Sequence, residues 1–240
     1  MYKRQSLGFT ADRTMRSAQN LYEAGLITYL RTDGINISTS PNTGEPFSEE
    51  NPGPPPLEEI RNVISEKFGN KFLSDDVRVY KSKVKNSQEA HEAIRPTNIK
   101  TYPEKINLGQ DEQKLYTLIW NRTVASQMSN SEHERKKIVV HSENNKFVLN
   151  ASSRKTIFEG FETLSKKDSS EALDFPEGLK EKEKVNFLEF ISEQKFTSPP
   201  NRYSEASLIK KMEELGIGRP STYASTVKGC LLYTSDAADE

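Results

Sequence analysis

The sequence of 240 residues predicts an α+β protein with more than one domain. Apolar residues recur at helical spacing through the first half of the chain, and an alternation typical of β-strands replaces that spacing between residues 131 and 200. A helical pattern returns after Pro199 and Pro200, which mark a loop. These changes predict a mostly helical domain over residues 6–130, a β-rich domain over 131–200 and the start of another helical domain over 201–229.

Three amphipathic helices are predicted in the first domain. Met15, Ala18 and Tyr22 share one face of a helix over residues 10–25. Residues 39–56 then hold six of the twelve prolines, which predicts a loop insertion with polyproline character. The second and third helices follow this loop, and Trp120 of the third is expected to be half-buried. Their inward positions are Leu57, Ile60, Ile64 and Phe68, then Leu115, Leu118, Ile119 and Ala125.

The β-rich domain is predicted from short alternating runs. Strands at residues 137–141 and 147–151 flank a hairpin turn at 143–145. Further strands at 156–161 and 184–191 are expected to extend the same sheet.

The segment Ile-Thr-Tyr-Leu-Arg-Thr-Asp-Gly at residues 27–34 carries the most information about function. If residues 26–30 form a strand, its period of two places Tyr29, Arg31 and Asp33 on one face. A phenol beside a guanidinium suits attack of the tyrosine oxygen on a phosphodiester, with arginine neutralising the charge on the phosphoryl oxygens. Taken alone, the pattern fits a structural interpretation as well as a catalytic one. In the structural interpretation, Tyr29 only packs, and the Arg/Asp pair lies at a solvated strand edge.

Residues 87–97 contain a histidine in a short helical pattern. The helix is predicted to stop at Arg95 and Pro96, because the residue before a proline is pushed out of the helical region. On that helix His91 and Arg95 are four residues apart and share a face. A single histidine is more often a hydrogen-bonded structural residue than a catalytic one, so these residues alone leave its role open.

Two further helices are predicted near the end of the chain. Ser204 is the expected N-cap of the first, and Gly216 ends it. A glycine-rich turn then leads past Arg219 to a second helix capped by Ser221 or Thr222. Backbone N–H groups and hydroxyls at such a helix start form an anion site, to which Arg219 adds charge. The apolar stripe of the first helix is formed by Leu208, Met212 and Leu215.

In their order along the chain, these segments resemble the active-site and DNA-binding segments of bacterial type IA DNA topoisomerases. The resemblance implies that Tyr29 becomes linked to the 5′-phosphate of a cut strand, with Arg31 holding the phosphoryl oxygens. It gives His91 a supporting role, and Asp33 either orients Arg31 or Tyr29 or forms a plain salt bridge. Gly34 stands where the family commonly has a serine, whose hydroxyl the chemistry does not demand. The implied DNA contacts are Arg95, Arg202, Ser204, Arg219, Ser221, Thr222 and Tyr223.

The same resemblance implies an architecture and a reaction. The enzyme would be a torus with a tyrosine domain of helix-turn-helix-like, catabolite-activator-like fold, a β-rich hinge domain and a helical DNA-binding domain. It would cut one strand, pass another through the gap and religate, relaxing negative supercoils without ATP. The implied partner is single-stranded or underwound DNA, bound by a monomer in the bacterial cytoplasm at the nucleoid. Mg²⁺ would bind to a Toprim domain that precedes this segment in the family, and no metal site is expected in the chain itself.

Both ends of the chain are expected to be foreign to this family. Residues 1–5 can be encoded by the end of a sequencing-library transposon adapter, and residues 230–240 by the opposite adapter read outward. Such additions are excluded before fold reasoning. We therefore expect residues 6–229 to be an internal slice of a longer gene, inactive by itself, with ends that make few contacts.

Composition and charge are compatible with this assignment. The chain has 34 basic and 35 acidic residues, and basic residues predominate locally in 78–100 and 195–229, as phosphate binding requires. The single cysteine, Cys230, lies in the C-terminal stretch, so residues 6–229 can form no disulfide among themselves. The sequence shows no apolar run long enough to cross a membrane and no Walker-type glycine-rich loop for a nucleotide cofactor.

Two alternatives remain open from the sequence. A topoisomerase III or a reverse-gyrase-type relative would share the tyrosine and its chemistry. A non-catalytic DNA-binding module could retain Tyr29 merely for packing.

Overall fold

The computed structural model describes residues 7–32, 34–41, 53–81, 92–144, 146–165, 175, 178–186, 188–189 and 191–236. Among these residues, three α-helices precede a β-hairpin and two follow it. The mixed α and β composition predicted from the sequence is therefore confirmed. The helices are α1 (Ala11–Glu23), α2 (Pro56–Phe68), α3 (Gln110–Ala125), α4 (Glu205–Leu215) and α5 (Tyr223–Asp236). The strands are β1 (Glu132–His141) and β2 (Val148–Phe158), and short 3₁₀ turns lie at Asn70–Phe72, Pro103–Lys105 and Gly160–Leu164.

Helices α1, α2 and α3 pack around one apolar core. Trp120 lies at its centre and is only 1% exposed, so the expectation of a half-buried tryptophan was wrong. The indole N–H donates to the carbonyl of Ile99 at 2.9 Å, which allows the whole ring to be buried without an unpaired donor. Burial also raises the pKa of Tyr116 to about 12. Its hydroxyl donates to the carbonyl of Thr101 at 2.8 Å.

Polar contacts fix the orientation of α1 against α3. Thr10 caps α1 by accepting a hydrogen bond from the amide of Arg13. The guanidinium of Arg13 in turn donates two hydrogen bonds of 2.6 Å to the carboxylate of Asp111 at the start of α3. These bonds hold the pKa of Asp111 below its ordinary value. The pair therefore favours the folded state at neutral pH, and its contribution is lost as the pH falls through the lowered pKa.

The strands form a two-stranded antiparallel sheet that is mostly exposed. Pairing runs from Glu132 opposite Phe158 to His141 opposite Val148, so both strands are longer than predicted. Residues 156–161 do not form a separate strand, because β2 ends at Phe158 and a 3₁₀ turn follows. The predicted strand at 184–191 is also wrong, since the residues described there are exposed and lack strand pairing.

Helices α4 and α5 form a second, smaller core with the start of α1. Ser204 caps α4 as predicted, accepting a hydrogen bond from the amide of Ser207, and Gly216 ends the helix at φ 72°. The predicted apolar stripe needs one correction, because Leu215 is 61% exposed. Helix α5 continues through Gly229 to Asp236, so the backbone shows no break at the expected end of the natural sequence. The buried residues of this core are Ala11, Ile209, Met212, Tyr223 and Val227.

Gly160 provides a test of the packing at the base of the hairpin. It adopts φ +50°, and a Cβ there would lie 2.4 Å from the carbonyl oxygen of Asn130. We expect Gly160→Ala to lower the free energy of unfolding by more than about 2 kcal/mol, because both the conformation and the space exclude a side chain. Gly8→Ala is the matched control, since φ is +66° but nothing lies within 4 Å of its Cβ. If urea unfolding shows that both variants lose the same free energy of unfolding, the close approach of Gly160 to Asn130 is contradicted.

Candidate active site

The end of α1 determines where the candidate nucleophile lies. Gly25 adopts φ +69°, and its amide donates to the carbonyl of Tyr22 at 2.9 Å. The amide of Leu26 donates to the carbonyl of Leu21 at 2.9 Å. Together these bonds form a Schellman motif, which ends the helix and turns the chain back over its last turn. Tyr29 follows directly after this reversal.

Residues 26–28 pair with residues 95–97, and the paired stretch is only a few residues long. Ile27 forms an isolated antiparallel bridge with Pro96. The amide of Thr28 donates to the carbonyl of Arg95 at 2.9 Å, and the amide of Thr97 donates to that of Leu26 at 3.1 Å. The sequence left open a strand or a turn at residues 26–30, and the structure shows one isolated bridge there and no regular strand.

Tyr29 and Arg31 are exposed on either side of a buried residue. Tyr29 is 49% exposed, whereas Leu30 between them is 4% exposed. Exposed and buried side chains therefore alternate over residues 29–31, as the prediction of alternating faces requires. These residues nevertheless do not form a strand. The phenol oxygen of Tyr29 and the guanidinium of Arg31 form no hydrogen bond or ion pair with any other residue that the structure describes. Both side chains are exposed at the surface.

Arg95 occupies a different position from the one predicted. It is 8% exposed and its Nε and Nη2 donate to the carboxylate of Glu92 at 2.5 and 3.2 Å. Its Nη1 donates to the carbonyls of Pro96 and Thr97. Residues 92–95 are not helical, so the predicted helix does not extend to Arg95. A buried guanidinium with these partners is suited to hold the loop rather than to contact a DNA phosphate.

Side chains of residues 27–34, the tyrosine segment, also form hydrogen bonds with residues 92–97. The hydroxyl of Thr28 donates to the carbonyl of Ala93 at 3.1 Å and accepts from the amide of Arg95 at 3.0 Å. The hydroxyl of Thr32 donates to the carbonyl of Glu92 at 3.0 Å. Sequence reasoning missed Thr28 and Glu92, although the i, i+3 spacing of Glu92 and Arg95 was a usable signal for an ion pair.

A cavity of about 700 Å³ lies behind the tyrosine segment. Its lining includes Ile27, Leu30 and Thr32, together with side chains of α1 and α3, but neither Tyr29 nor Arg31. Tyr29, which is 49% exposed, therefore lies outside this cavity.

The expected DNA contacts near the C-terminal end are mostly exposed. Arg202, Ser204, Arg219, Ser221 and Thr222 all lie at the surface. The hydroxyl of Thr222 accepts a hydrogen bond from the amide of Arg219 at 2.9 Å, which closes the turn that precedes α5. Tyr223 differs from the others because its side chain is buried in the second core.

Two of the predicted site residues, Asp33 and His91, lie outside the described residues. The same is true of residues 1–5, most of the proline-rich segment 39–56, and Lys83 and Lys85 in the first basic region. Within the described part of the chain, no three His, Cys, Asp or Glu side chains lie together in a way that could hold a metal ion. In the same residues, no helix has an apolar stretch long enough to span a bilayer.

Comparison with known proteins assigns the family. A family model described as DNA topoisomerase matches residues 2–232, so the chain belongs to the DNA topoisomerase family, in its bacterial type IA branch. The match begins before residue 6 and ends after residue 229, so it does not separate the expected foreign ends from the rest.

Individual relatives agree with this family. DNA topoisomerase 1 of Rickettsia bellii is 45% identical over 236 residues, which cover 92% of this chain and 28% of the relative. DNA topoisomerase 1 of Helicobacter pylori is 43% identical over 231 residues, covering 92% of this chain and 29% of the relative. The structure of full-length topoisomerase I from Thermotoga maritima matches 94% of this chain and 35% of that one, with 35% identity and a TM-score of 0.65. The chain thus spans about a third or less of these relatives.

The placement of Arg95 leads to a prediction that separates a structural role from DNA contact. Arg95→Lys keeps the charge but loses the two-pronged bond to Glu92, so we expect the free energy of unfolding to fall by about 2 kcal/mol. Arg31→Lys, at an exposed position without partners among the described residues, is expected to change it by less than about 0.5 kcal/mol. Thermal or urea unfolding of the 240-residue chain measures both. Wild-type stability of Arg95→Lys together with weakened binding of single-stranded DNA would restore the original prediction.

Proposed function

We propose that the full-length protein cuts one DNA strand through Tyr29, passes another strand through the gap and religates, relaxing negative supercoils without ATP. The observation that carries this proposal is the placement of Tyr29 and Arg31. Both side chains project from a segment fixed by residues 92–97 and leave the phenol and guanidinium open to a phosphate.

The proposed reaction is a transesterification. The phenol oxygen of Tyr29 loses its proton as it attacks the phosphorus of a phosphodiester, forming a bond to the 5′-phosphate. The bond between phosphorus and the 3′-oxygen breaks, and that oxygen leaves as a hydroxyl after taking up a proton. Religation is the reverse attack by this hydroxyl. The phosphodiester energy is kept in the phosphotyrosine, so no nucleotide cofactor is needed.

Arg31 is the proposed electrostatic partner of this step. Charge increases on the non-bridging phosphoryl oxygens in the transition state, and a guanidinium can donate two hydrogen bonds to them. His91 would assist proton movement, and Asp33 would orient Arg31 or Tyr29. These two roles rest on the family resemblance alone.

Binding of the strand is proposed to involve the exposed residues near α4 and α5. Arg219 lies in the turn that leads to the start of α5, and the positive end of a helix favours an anion. Arg202, Ser204, Ser221 and Thr222 lie at the surface of the same region. The preferred partner would be single-stranded or underwound DNA, and the protein would act as a monomer in the cytoplasm at the nucleoid. The catabolite-activator-like tyrosine domain, the β-rich hinge and the helical DNA-binding domain belong to the same proposal.

Mg²⁺ is proposed to act in the full-length protein from a site outside this chain. The described residues offer no cluster of carboxylates that fits such an ion. When bound, the ion would supply positive charge near the phosphodiester. Every step assigned to this chain involves its own residues.

Substitutions at the site test the proposed roles in the full-length protein. Tyr29→Phe should abolish formation of the covalent adduct with a single-stranded oligonucleotide while leaving binding nearly intact, since only the nucleophilic oxygen is removed. Arg31→Ala should slow cleavage by about 10²-fold, and His91→Ala by about 10-fold. Tyr102→Phe, which removes the hydroxyl of a tyrosine packed edge to face on Trp120, is the control. Cleavage by Tyr29→Phe at the wild-type rate would refute the mechanism, whereas the absence of any adduct with the wild-type protein would support a non-catalytic DNA-binding module.

The 240-residue chain by itself is expected not to relax supercoiled plasmid. It spans 28% of the Rickettsia bellii relative, and the proposed gate and metal site require more of the protein. It should still bind single strands weakly, with an affinity that falls as salt increases, through its exposed basic residues. Plasmid relaxation with Mg²⁺, beside a Tyr29→Phe control, measures the first expectation. Relaxation that depends on Tyr29 would show that the chain is catalytically sufficient.

A further inference from the structure

We propose that Tyr22 is a positioning residue, which holds the ring of Tyr29 in the orientation needed for attack. This inference rests on the proposed function and deepens it. The two rings meet edge to face, with centroids 5.5 Å apart and an interplanar angle of 68°. That geometry is the favourable one for an aromatic pair, because the positive edge of one ring meets the negative face of the other.

The contact is produced by the way α1 ends. Tyr22 lies in the last turn of the helix, and its carbonyl accepts the hydrogen bond from Gly25. The left-handed conformation of Gly25 then returns the chain over that turn. Tyr29 follows four residues later and its ring meets that of Tyr22. The backbone therefore brings the two rings within contact distance of each other.

Tyr29 needs such a restraint because its immediate neighbours leave it exposed. With 49% of its surface accessible, it is not confined by packing as a core tyrosine is. The pairing of residues 26–28 with 95–97 fixes its backbone, but two side-chain torsions remain. An attacking oxygen must be aligned with the phosphorus and the leaving oxygen, and small errors of placement slow a reaction strongly. The edge-to-face contact supplies the missing restraint on the ring.

Tyr22 is suited to this role and not to a role in the chemistry itself. It touches the ring of Tyr29, and the contact requires an aromatic ring but no hydroxyl. Because Tyr22 is 39% exposed, its replacement should leave the fold intact. Tyr22→Leu removes the ring, and Tyr22→Phe keeps it. Glu23→Gln in the same helical turn is the matched control, since the side chain of Glu23 accepts a hydrogen bond from Gln19.

The first experiment measures the ring contact in the 240-residue chain, without any reaction. Protons of the Tyr22 and Tyr29 rings should show nuclear Overhauser effects to each other. In ¹³C relaxation, the order parameter of the Tyr29 ring should fall in Tyr22→Leu and remain at the wild-type value in Tyr22→Phe and Glu23→Gln. Absence of the inter-ring effects, or an unchanged order parameter in Tyr22→Leu, would overturn the inference whether or not the protein cleaves DNA.

The second experiment measures the consequence for cleavage in the full-length protein. Under single-turnover conditions with a single-stranded oligonucleotide, Tyr22→Leu should form the covalent adduct about 3- to 10-fold more slowly, as expected from the loss of one aromatic pair. Its dissociation constant for the oligonucleotide should be unchanged, and Tyr22→Phe should restore the rate. Wild-type cleavage by Tyr22→Leu would overturn the positioning role. Failure of the wild-type protein to form any adduct would instead refute the proposed function, while the ring measurements would still report the contact.

Discussion

The placement of Tyr29 depends on the short pairing between residues 26–28 and 95–97. One bridge and a few hydrogen bonds would be a weak attachment if the second segment were free to move. It is fixed because the buried guanidinium of Arg95 bonds both to the carboxylate of Glu92 and to the carbonyls that follow it. A buried ion pair contributes little net stability when it replaces apolar packing, but the loss of one partner is costly. The ion pair of Arg95 and Glu92 therefore specifies one conformation of residues 92–97. Through the pairing with residues 26–28, that conformation also fixes the position of the exposed site.

Helix α1 connects this arrangement to the rest of the molecule. At one end, the amide of Ala11 donates to the carboxylate of Glu205 at 2.8 Å, beside the core shared with α4 and α5. In its first turns, Arg13 is bonded to Asp111 of α3. At the other end, the Schellman motif leads directly to Tyr29. The helix that precedes Tyr29 is thus held against both the main core and the segment proposed to contact DNA.

Periodicity and motif order predicted helices α1 to α5, the order of helical and β regions and the placement of Tyr29 and Arg31 on the same side of their segment. Long-range pairing could not be predicted in the same way. Residues 26–30 have the composition of a strand, yet a strand requires a partner, and only Ile27 has one. Likewise, nothing local distinguishes a buried Arg95 from a solvated one, because its burial depends on Glu92 and on carbonyls placed by the tertiary fold. Trp120 was misjudged for the same reason, since its indole partner is the backbone of Ile99.

The two arginines of this region differ in burial, and this difference gives them different roles. Arg95 is fully engaged within the protein and keeps the backbone in place, whereas Arg31 lies at the surface and has no partner among the described residues. If both arginines were exposed, the loop would lose its anchor, and if both were buried, neither could meet a charge from outside. Under the proposed function, the phosphate of a bound strand would meet the phenol of Tyr29 and the guanidinium of Arg31, so the substrate would complete the arrangement. Correct positioning of the strand would then be the step that makes the attack possible.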